Sequence, residues 1–398
     1  MRCDVCVVGG GFSGLSAAIH LAQMGYDVVL LEAQRLGFGA SGRNGGQVGT
    51  GQRADQDTLQ DMLGKTHARM LWDLSLQSVQ LVKDLIKTHQ MDCGWADGII
   101  HADHRARFVP HSHAYAQKLR NDYDYDLIRP LSKDELRHLV GSSAYHGGTL
   151  DMGGGHLHPL RYALGLAKAA RDAGVRLHEG ARVLNVSASA SQVRTAEAVV
   201  AADHIVLCCN GYHCDLLPEL ETKIMPINNF IAATRPLSEN EAQALIRDNH
   251  AVADSKFVIN YFRLSEDRRL LFGGGESYGH RFPADIAAKV RRPMAQIYPH
   301  LADIPLDYAW GGTLGITMNR MPHFARIAGN ILSISGYSGH GVAMATLGGK
   351  IAAQAIAGQA ENFDVMAKVP TPKFPGGAAM RAPLLALGMI WYGLRDLL

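Results

Sequence analysis

Gly9, Gly11 and Gly14, spaced as GxGxxG in the run Gly9-Gly10-Gly11-Phe12-Ser13-Gly14, and the acidic Glu32 beyond them show the chemistry of this 398-residue chain most plainly. The first glycine permits a tight turn, the second lets a pyrophosphate approach the backbone, and the third lets a helix pack closely on a strand. Free N–H groups at the start of that helix, together with its dipole, attract phosphate. Glu32 is placed to accept from both ribose hydroxyls of an adenosine and to repel a 2′-phosphate. These residues imply binding of a dinucleotide.

The flanking residues supply the elements such a site requires. Val5, Cys6, Val7 and Val8 form a short apolar run, the mark of a strand buried on both faces. Leu15, Ala18, Ile19 and Ala22 share one helical face, Gly25 supplies a stop, and a second strand over 27–31 ends at Glu32. Asp4 to Glu32 therefore reads as strand, turn, helix, strand. A glycine-rich turn without a ligand is the bland alternative, and it leaves Glu32 unexplained.

Two further glycine-rich stretches invite the same question. Residues 35–47 contain Gly37, Gly39, Ala40, Ser41, Gly42, Arg43, Asn44, Gly45 and Gly46, too few large side chains for a core, with donors at Ser41, Arg43 and Asn44. The segment reads either as a mobile surface loop or as a second contact to the same ligand, and its place directly after the first unit favours the contact. Near the other end, an apolar strand over 330–335 runs into Gly336-Tyr337-Ser338-Gly339-His340-Gly341 and a small-residue helix over 342–357. That helix again aims its positive end at whatever lies in the turn. Between these stretches, Tyr261 and Arg263 share one face of a strand while Phe262 takes the other. Tyr261 reads either as a ligand-facing residue or as a half-buried sheet residue.

The intervening chain is organised as follows. Residues 66–89 carry a long amphipathic helix, and 91–102 read as strand material. Residues 103–147 are polar, with a capping box at Ser132 and Glu135. Gly153-Gly154-Gly155 leads into a helix over 156–173 with Pro159 in its first turn. Strands over 175–186 and 197–203 precede the buried run from His204 to Cys209, which ends in a turn at Asn210-Gly211. Residues 221–305 alternate strands and turns, with a second capping box at Ser238 and Glu241, and read as antiparallel.

Composition excludes several classes. With 39 Lys and Arg against 37 Asp and Glu, the net charge is +2, and without a concentrated basic patch no nucleic-acid partner is expected. Cys3 and Cys6 form a CxxC, but neighbouring strand positions alternate between faces, so buried small hydrophobes fit better than zinc. His111 and His113 lack a third ligand at a defined spacing, and no metal is expected. Free thiols and a first strand that begins close to Met1 predict a cytoplasmic protein. The apolar stretch over 383–398 is shorter than the about 20 residues needed to cross a bilayer, so no transmembrane segment is expected. Its expected packing is on the body or a second subunit, with contact to a membrane surface as the other reading.

With the N-terminal unit, GASGRNGG, GGGHLHP, YFRLSEDRRLLFGGG, WGGTLGIT and GYSGHG in this order, residues 1–360 resemble the D-amino-acid oxidase and glycine oxidase superfamily, and within it the γ-glutamylputrescine oxidase-like branch. The resemblance implies an α/β protein: a Rossmann-like FAD-binding domain interleaved with an α+β substrate domain built on a mainly antiparallel sheet. The FAD-binding parts would be 1–85, 148–220 and 306–362, the substrate parts 86–147 and 221–305, and 363–398 a C-terminal tail with a terminal helix. Implied cofactor contacts are Gly9, Gly11, Phe12, Ser13, Gly14, Glu32, Ala33 and Gln34 in the first unit, and Ala40, Ser41, Arg43, Asn44, Gly45 and Gly46 in the loop that follows. Further along they are Val183 beside the adenine, Asn210, Gly211, Gly312, and Gly336, Tyr337, Ser338, Gly339, His340 and Gly341 beside the flavin. Tyr261 matches a substrate-facing tyrosine. His340 is a candidate base by position, and equally a turn residue.

Two departures shape the expected reaction. The segment around Trp310 has no cysteine, so FAD is expected to be noncovalent. Where amino-acid oxidases read W-x-G-L-R-P, with an arginine for the substrate carboxylate, this chain has Leu314, and Arg263 is the candidate to compensate. The reaction expected is oxidation of a primary or secondary amine, with hydride transfer to flavin N5 and hydrolysis of the imine. Oxygen or another acceptor would reoxidise the flavin. The alternatives are an amino-acid oxidase or dehydrogenase of the glycine or D-amino-acid type and a non-catalytic flavin-binding redox module. An NAD-dependent dehydrogenase leaves GASGRNGG and GYSGHG without a role.

Overall fold

Two sheets carry the chain, and the computed structural model describes residues 1–213, 216–278 and 281–376 of it. At the centre of the first, Arg2–Val8 pairs in parallel with both Val28–Leu31 and Val199–Leu207, so that Val5 lies between Val28 and His204. From edge to edge the order is His323–Ala328, Ile331–Ser335, Val199–Leu207, Arg2–Val8, Val28–Leu31 and Arg176–His178. A hairpin of Val183–Ser187 and Gln192–Thr195 hangs from Val199–Leu207.

The apolar run of the first strand is explained by cover on both faces. Val5 and Val7 join one layer with Leu15 and Ile19, while Cys6 and Val8 join another with Val193 and Ile205. Cys3 falls in the same layer as Cys6 rather than on the opposite face. Burial raises both thiols, and no group of metal-ligating side chains occurs among the described residues. On the first layer, helix Phe12–Gln23 packs against Gly341–Ile356 so closely that a Cβ on Gly349 would collide with the Ser13 carbonyl.

The second sheet has the order Leu306–Ile316, Met225–Thr234, Leu270–Tyr278, Tyr261–Leu264, Ala251–Asp254, Ala96–Ala102, Gly148–His156 and Gln47–Val48, with Ile128–Leu131 also against Gly148–His156. Its pairs are antiparallel except Ala96–Ala102 with Ala251–Asp254. One face holds Phe230, Phe262 and Phe272 in a core with Val290 and Met294 of helix Ile286–Ile297. Paired residues share a face, so Thr149, His101, Ala253, Tyr261 and Gly273 form a row on the other.

Two strands fall on the second sheet although the sequence places 148–220 and 306–362 with the first. Gly153-Gly154-Gly155, which the sequence offers only as the lead into a helix, lies in a strand, where a Cβ on Gly155 would collide with the Ala96 carbonyl. Similarly, Gly311 lies against the Phe230 ring. In both strands glycine marks close approach. The helix after Gly155 begins only at Pro159, capped by His158. Among the described residues, no helix is long and apolar enough to cross a membrane. The expected terminal helix over 383–398, and Cys214, lie outside the described residues.

Candidate functional site

The first turn admits glycine for definite reasons. Gly9 has φ +108°, and a Cβ there would stand 2.7 Å from the Cys208 carbonyl oxygen; one on Gly14 would collide with the Gly9 carbonyl. The cap residue Gly11 has no side chain to bond, and the amides of Ser13 and Gly14 lie in the first turn, where the helix offers no acceptor. The Phe12 N–H donates to Ser41 Oγ at 3.0 Å. Two of the expected contact segments therefore meet directly.

Glu32 is fixed by two backbone donors, the Gly10 N–H at 2.7 Å and the Gln34 N–H at 2.9 Å. A carboxylate has about four acceptor sites, so it retains capacity for a ligand. The carbonyls of Glu32 and Gln34 accept from Ala181 and Gly180, which brings half-buried Val183 and Ala33 to the same end of the site. Burial, reinforced by the charge of Glu32, raises the neighbouring Cys209 thiol to about 12.

The loop over 40–46 is largely self-supporting. Ala40–Arg43 is a short helix; Asn44 donates to the Ala40 and Ser41 carbonyls and accepts from the Gly46 N–H. Arg43 donates to the carbonyls of Phe38 at 2.6 Å and Gly311 at 3.2 Å. The donors that the sequence marks for a ligand on Arg43 and Asn44 are thus committed to positioning the loop. Gly312 lies against Arg43, and a Cβ on Gly45 would stand 2.6 Å from the Tyr261 ring.

The Gly336–Gly341 turn is joined to the same centre. Asn210 accepts from the Gly336 N–H at 3.1 Å, Ser338 donates its N–H to the Gly315 carbonyl at 3.0 Å, and Tyr337 shares a 2.7 Å hydrogen bond with Ser13. Gly211 approaches the Leu314 carbonyl. His340 caps the helix Gly341–Ile356 without a side-chain bond to it; its Nε2 lies 2.9 Å from the Gly51 carbonyl, to which it donates. Burial, then the charge of Arg53, lowers this imidazole to about 4. It is neutral at pH 7, with only Nδ1 available to accept, and this geometry describes a turn residue better than a base.

On the sheet side, the Tyr261 hydroxyl donates to Asn229 Oδ1, and its ring lies between Gly45 and Gly273. Burial and then Glu276 raise the phenol, so it stays protonated. Arg263 is buried, and its Nε and Nη1 donate to the carbonyls of Gly45 and Leu264 at 2.6 and 3.0 Å. Burial lowers its guanidinium to about 10. Arg263 fastens the loop to the sheet rather than presenting a free fork. Leu314 packs with Met225, Ile227 and Ile316.

His101, Asn229, Glu276, Arg53 and Arg320 belong to this region although the sequence reading did not mark them. The His101 side chain has accessible surface, yet the protein packed around it lowers its imidazole. The available signal was faint: Glu276 is an acid following Gly273-Gly274-Gly275 inside a strand, and Arg53 closes a glycine-rich loop.

The arrangement fits FAD. A phosphate turn with unpaired helix amides, a fixed carboxylate at the end of the second strand, and a second helix N-terminus at Gly341 converge beside a sheet face that carries Tyr261. The comparisons agree. The chain is 39% identical over 397 residues to a probable oxidoreductase OrdL of Rhizobium meliloti, covering 99% of this chain and 92% of that protein. It is 39% identical over 398 residues to the γ-glutamylputrescine oxidoreductase of Escherichia coli, covering 100% and 93%. Its fold is similar to that of glycine oxidase from Geobacillus kaustophilus, with a TM-score of 0.76 at 20% identity over 90% of this chain and 95% of that one. Residues 4–355 match the DAO family, described as FAD dependent oxidoreductase, and with the site built from those same residues the chain belongs to that family and is an FAD-dependent oxidoreductase of the amine and amino-acid oxidase kind.

Proposed function

We propose that this protein oxidises a primary or secondary amine whose reacting carbon bears no carboxylate. The observation that carries the reading is the pairing of Leu314, apolar where amino-acid oxidases of the family place an arginine, with Arg263, whose Nε and Nη1 are held by backbone carbonyls. A carboxylate brought into such surroundings without a charged partner is disfavoured by several kcal/mol. γ-Glutamylputrescine, named for the Escherichia coli relative, has the required form, since its free amine lies at the opposite end from its carboxylate.

FAD, when bound, supplies the electron sink: the α-hydrogen leaves the substrate as hydride, and water hydrolyses the resulting imine to a carbonyl compound. Gly9 to Gly14 would hold its pyrophosphate and Glu32 its ribose. The positive end of helix Gly341–Ile356 stabilises negative charge held at the Gly336–Gly341 turn. Tyr261, its hydroxyl fixed on Asn229, shapes the substrate side. Neither Tyr261, with its raised phenol, nor His340, with its lowered imidazole, stores the substrate proton at neutral pH, so the amine enters as its free base. Oxygen or another acceptor takes the electrons onward, and the five described cysteines, all unpaired, support a cytoplasmic setting.

Product analysis tests this. Turnover with a putrescine derivative should give an aldehyde. Formation of 2-oxo acids from simple amino acids as the faster reaction would reject the reading.

A further inference from the structure

Arg53, Arg320 and Glu276 are charged, half-buried, and without a side-chain hydrogen bond or ion pair among the described residues. They come from three segments, each held firmly. Arg53 follows a loop in which Thr50 donates to Asp151 at 2.5 Å, the Gly51 N–H donates to Ser75 at 3.0 Å, and Gln52 donates to the Leu71 carbonyl at 2.9 Å. The Gly51 carbonyl is the one that accepts from His340. Arg320 stands on a turn with φ +63°, an unfavourable backbone for a side chain with a Cβ, and lies over the Phe257 ring at 5.4 Å. Glu276 pairs directly across the sheet from Asn229, the residue that accepts from Tyr261.

These charges act on one another without pairing. Burial raises the Glu276 carboxyl, opposed in order by Arg320, Arg53 and Lys289. Burial first and then the charge of Arg320, opposed by Glu276, lower the Arg53 guanidinium to about 10. Partly desolvated ions without partners are costly, and arginine side chains are long enough to close on an acid when their backbones permit. The loop before Arg53 is anchored and Arg320 stands on left-handed backbone, and among the described residues no ion pair joins the three. A ligand that satisfies all three must bring an anion for two guanidiniums and a cation for one carboxylate. An α-amino-acid head group carries both on one carbon.

We propose that Arg53, Arg320 and Glu276 bind an α-amino-acid head group at the end of the substrate remote from the reacting amine, with its carboxylate on the two arginines and its ammonium on Glu276. This rests on the reading of the protein as an amine oxidoreductase whose substrate carries no carboxylate at the reacting carbon. The bidentate geometry of arginine suits the carboxylate, and Glu276, paired across the sheet with the Asn229 that accepts from Tyr261, sets the head group on the Tyr261 side of the sheet.

The test compares three conjugates on the FAD-loaded enzyme: γ-glutamylputrescine, N-glutarylputrescine, which keeps the carboxylate at the same distance without the ammonium, and N-acetylputrescine, which has neither. The expected kcat/KM falls by about 100-fold or more from the glutamyl to the acetyl conjugate, which lacks both charged groups, with the glutaryl conjugate between them. Arg53→Met and Arg320→Met should each shrink the glutamyl-to-acetyl ratio about tenfold or more, with Arg53→Lys retaining part of it. Glu276→Gln should remove the difference between glutamyl and glutaryl conjugates. Binding of γ-glutamylbutylamide, which has the head group but no reacting amine, read from the flavin spectrum, should weaken in parallel. Equal kcat/KM for the three conjugates, or ratios unchanged in variants with full FAD content, would overturn the site while leaving the amine reading intact. Reduction of the flavin by glycine or D-alanine but by none of the conjugates would overturn both.

Discussion

The Nε of Arg263 donates to the carbonyl of Gly45 at 2.6 Å, joining the second sheet to the loop that follows the phosphate turn. The same guanidinium bonds the Leu264 carbonyl, and Gly45 in turn abuts Tyr261. An arginine that the sequence offers as a substrate ligand is in this way a tie between the two halves of the site.

Arg263→Ala should therefore act on stability and loop position. Leaving two carbonyls without their donor in a buried setting costs about 2–4 kcal/mol, and the urea midpoint should fall accordingly. FAD affinity should fall with it. A variant of unchanged stability would show that the tie is not maintained in solution.

Glu32→Ala should weaken FAD by about 1.5–3 kcal/mol, the range for hydrogen bonds to a charged group, while the fold survives. The geometry adds a reason, because the Glu32 carboxylate is held in place by the amides of Gly10 and Gln34 and keeps acceptor capacity to spare. Titration of apoprotein with FAD measures it, and unchanged affinity would assign Glu32 a different role.

The flavin should be released intact by acid. Cys3, Cys6 and Cys208 are core residues and Cys209 lies at the Glu32 end, away from Tyr261 and His340. Acid precipitation should leave the yellow colour in the supernatant. Colour retained in the pellet would establish a covalent link.

Much of this was legible because it is local. The glycines at 9, 11 and 14 and Glu32 act within one strand-helix-strand unit, and the capping boxes at Ser132 and Ser238 form with both reciprocal bonds. Helix Val109–Tyr123 was hidden because it buries only Ala116, Leu119 and Tyr123, too few to show a period among its histidines and tyrosines. Helix Ile286–Ile297 was masked by Pro293 within it. The sheet membership of Gly148–His156 was missed because its glycines look in sequence like the lead into the following helix, while in the fold they permit close packing within a strand. Arg53, Arg320 and Glu276 could not be grouped from sequence at all, since only the folded chain brings them together.

Stability should fall below neutral pH. His20 and His156 are lowered from 6.5 to about 4, both chiefly by burial, so the unfolded chain binds more protons than the folded one between these values. Their contribution is fully present above 6.5 and lost as pH falls through about 4, up to about 3 kcal/mol each. Asp254, raised to about 6 by burial, works in the opposite direction, while His323 reinforces the histidines. Urea midpoints at pH 7 and pH 5 measure the slope, which His156→Gln should flatten. An unchanged slope in that variant would place the proton uptake elsewhere.

Anaerobic reduction of the bound flavin, followed in a single turnover, bears most directly on the absence of a carboxylate site at the reacting carbon. Putrescine derivatives should reduce the flavin at least about 100-fold faster than glycine, sarcosine or D-alanine at equal concentration, as expected when a carboxylate would go unpaired. Rapid reduction by those simple amino acids, abolished in Arg263→Ala, would contradict the account and make Arg263 the carboxylate partner of an amino-acid oxidase.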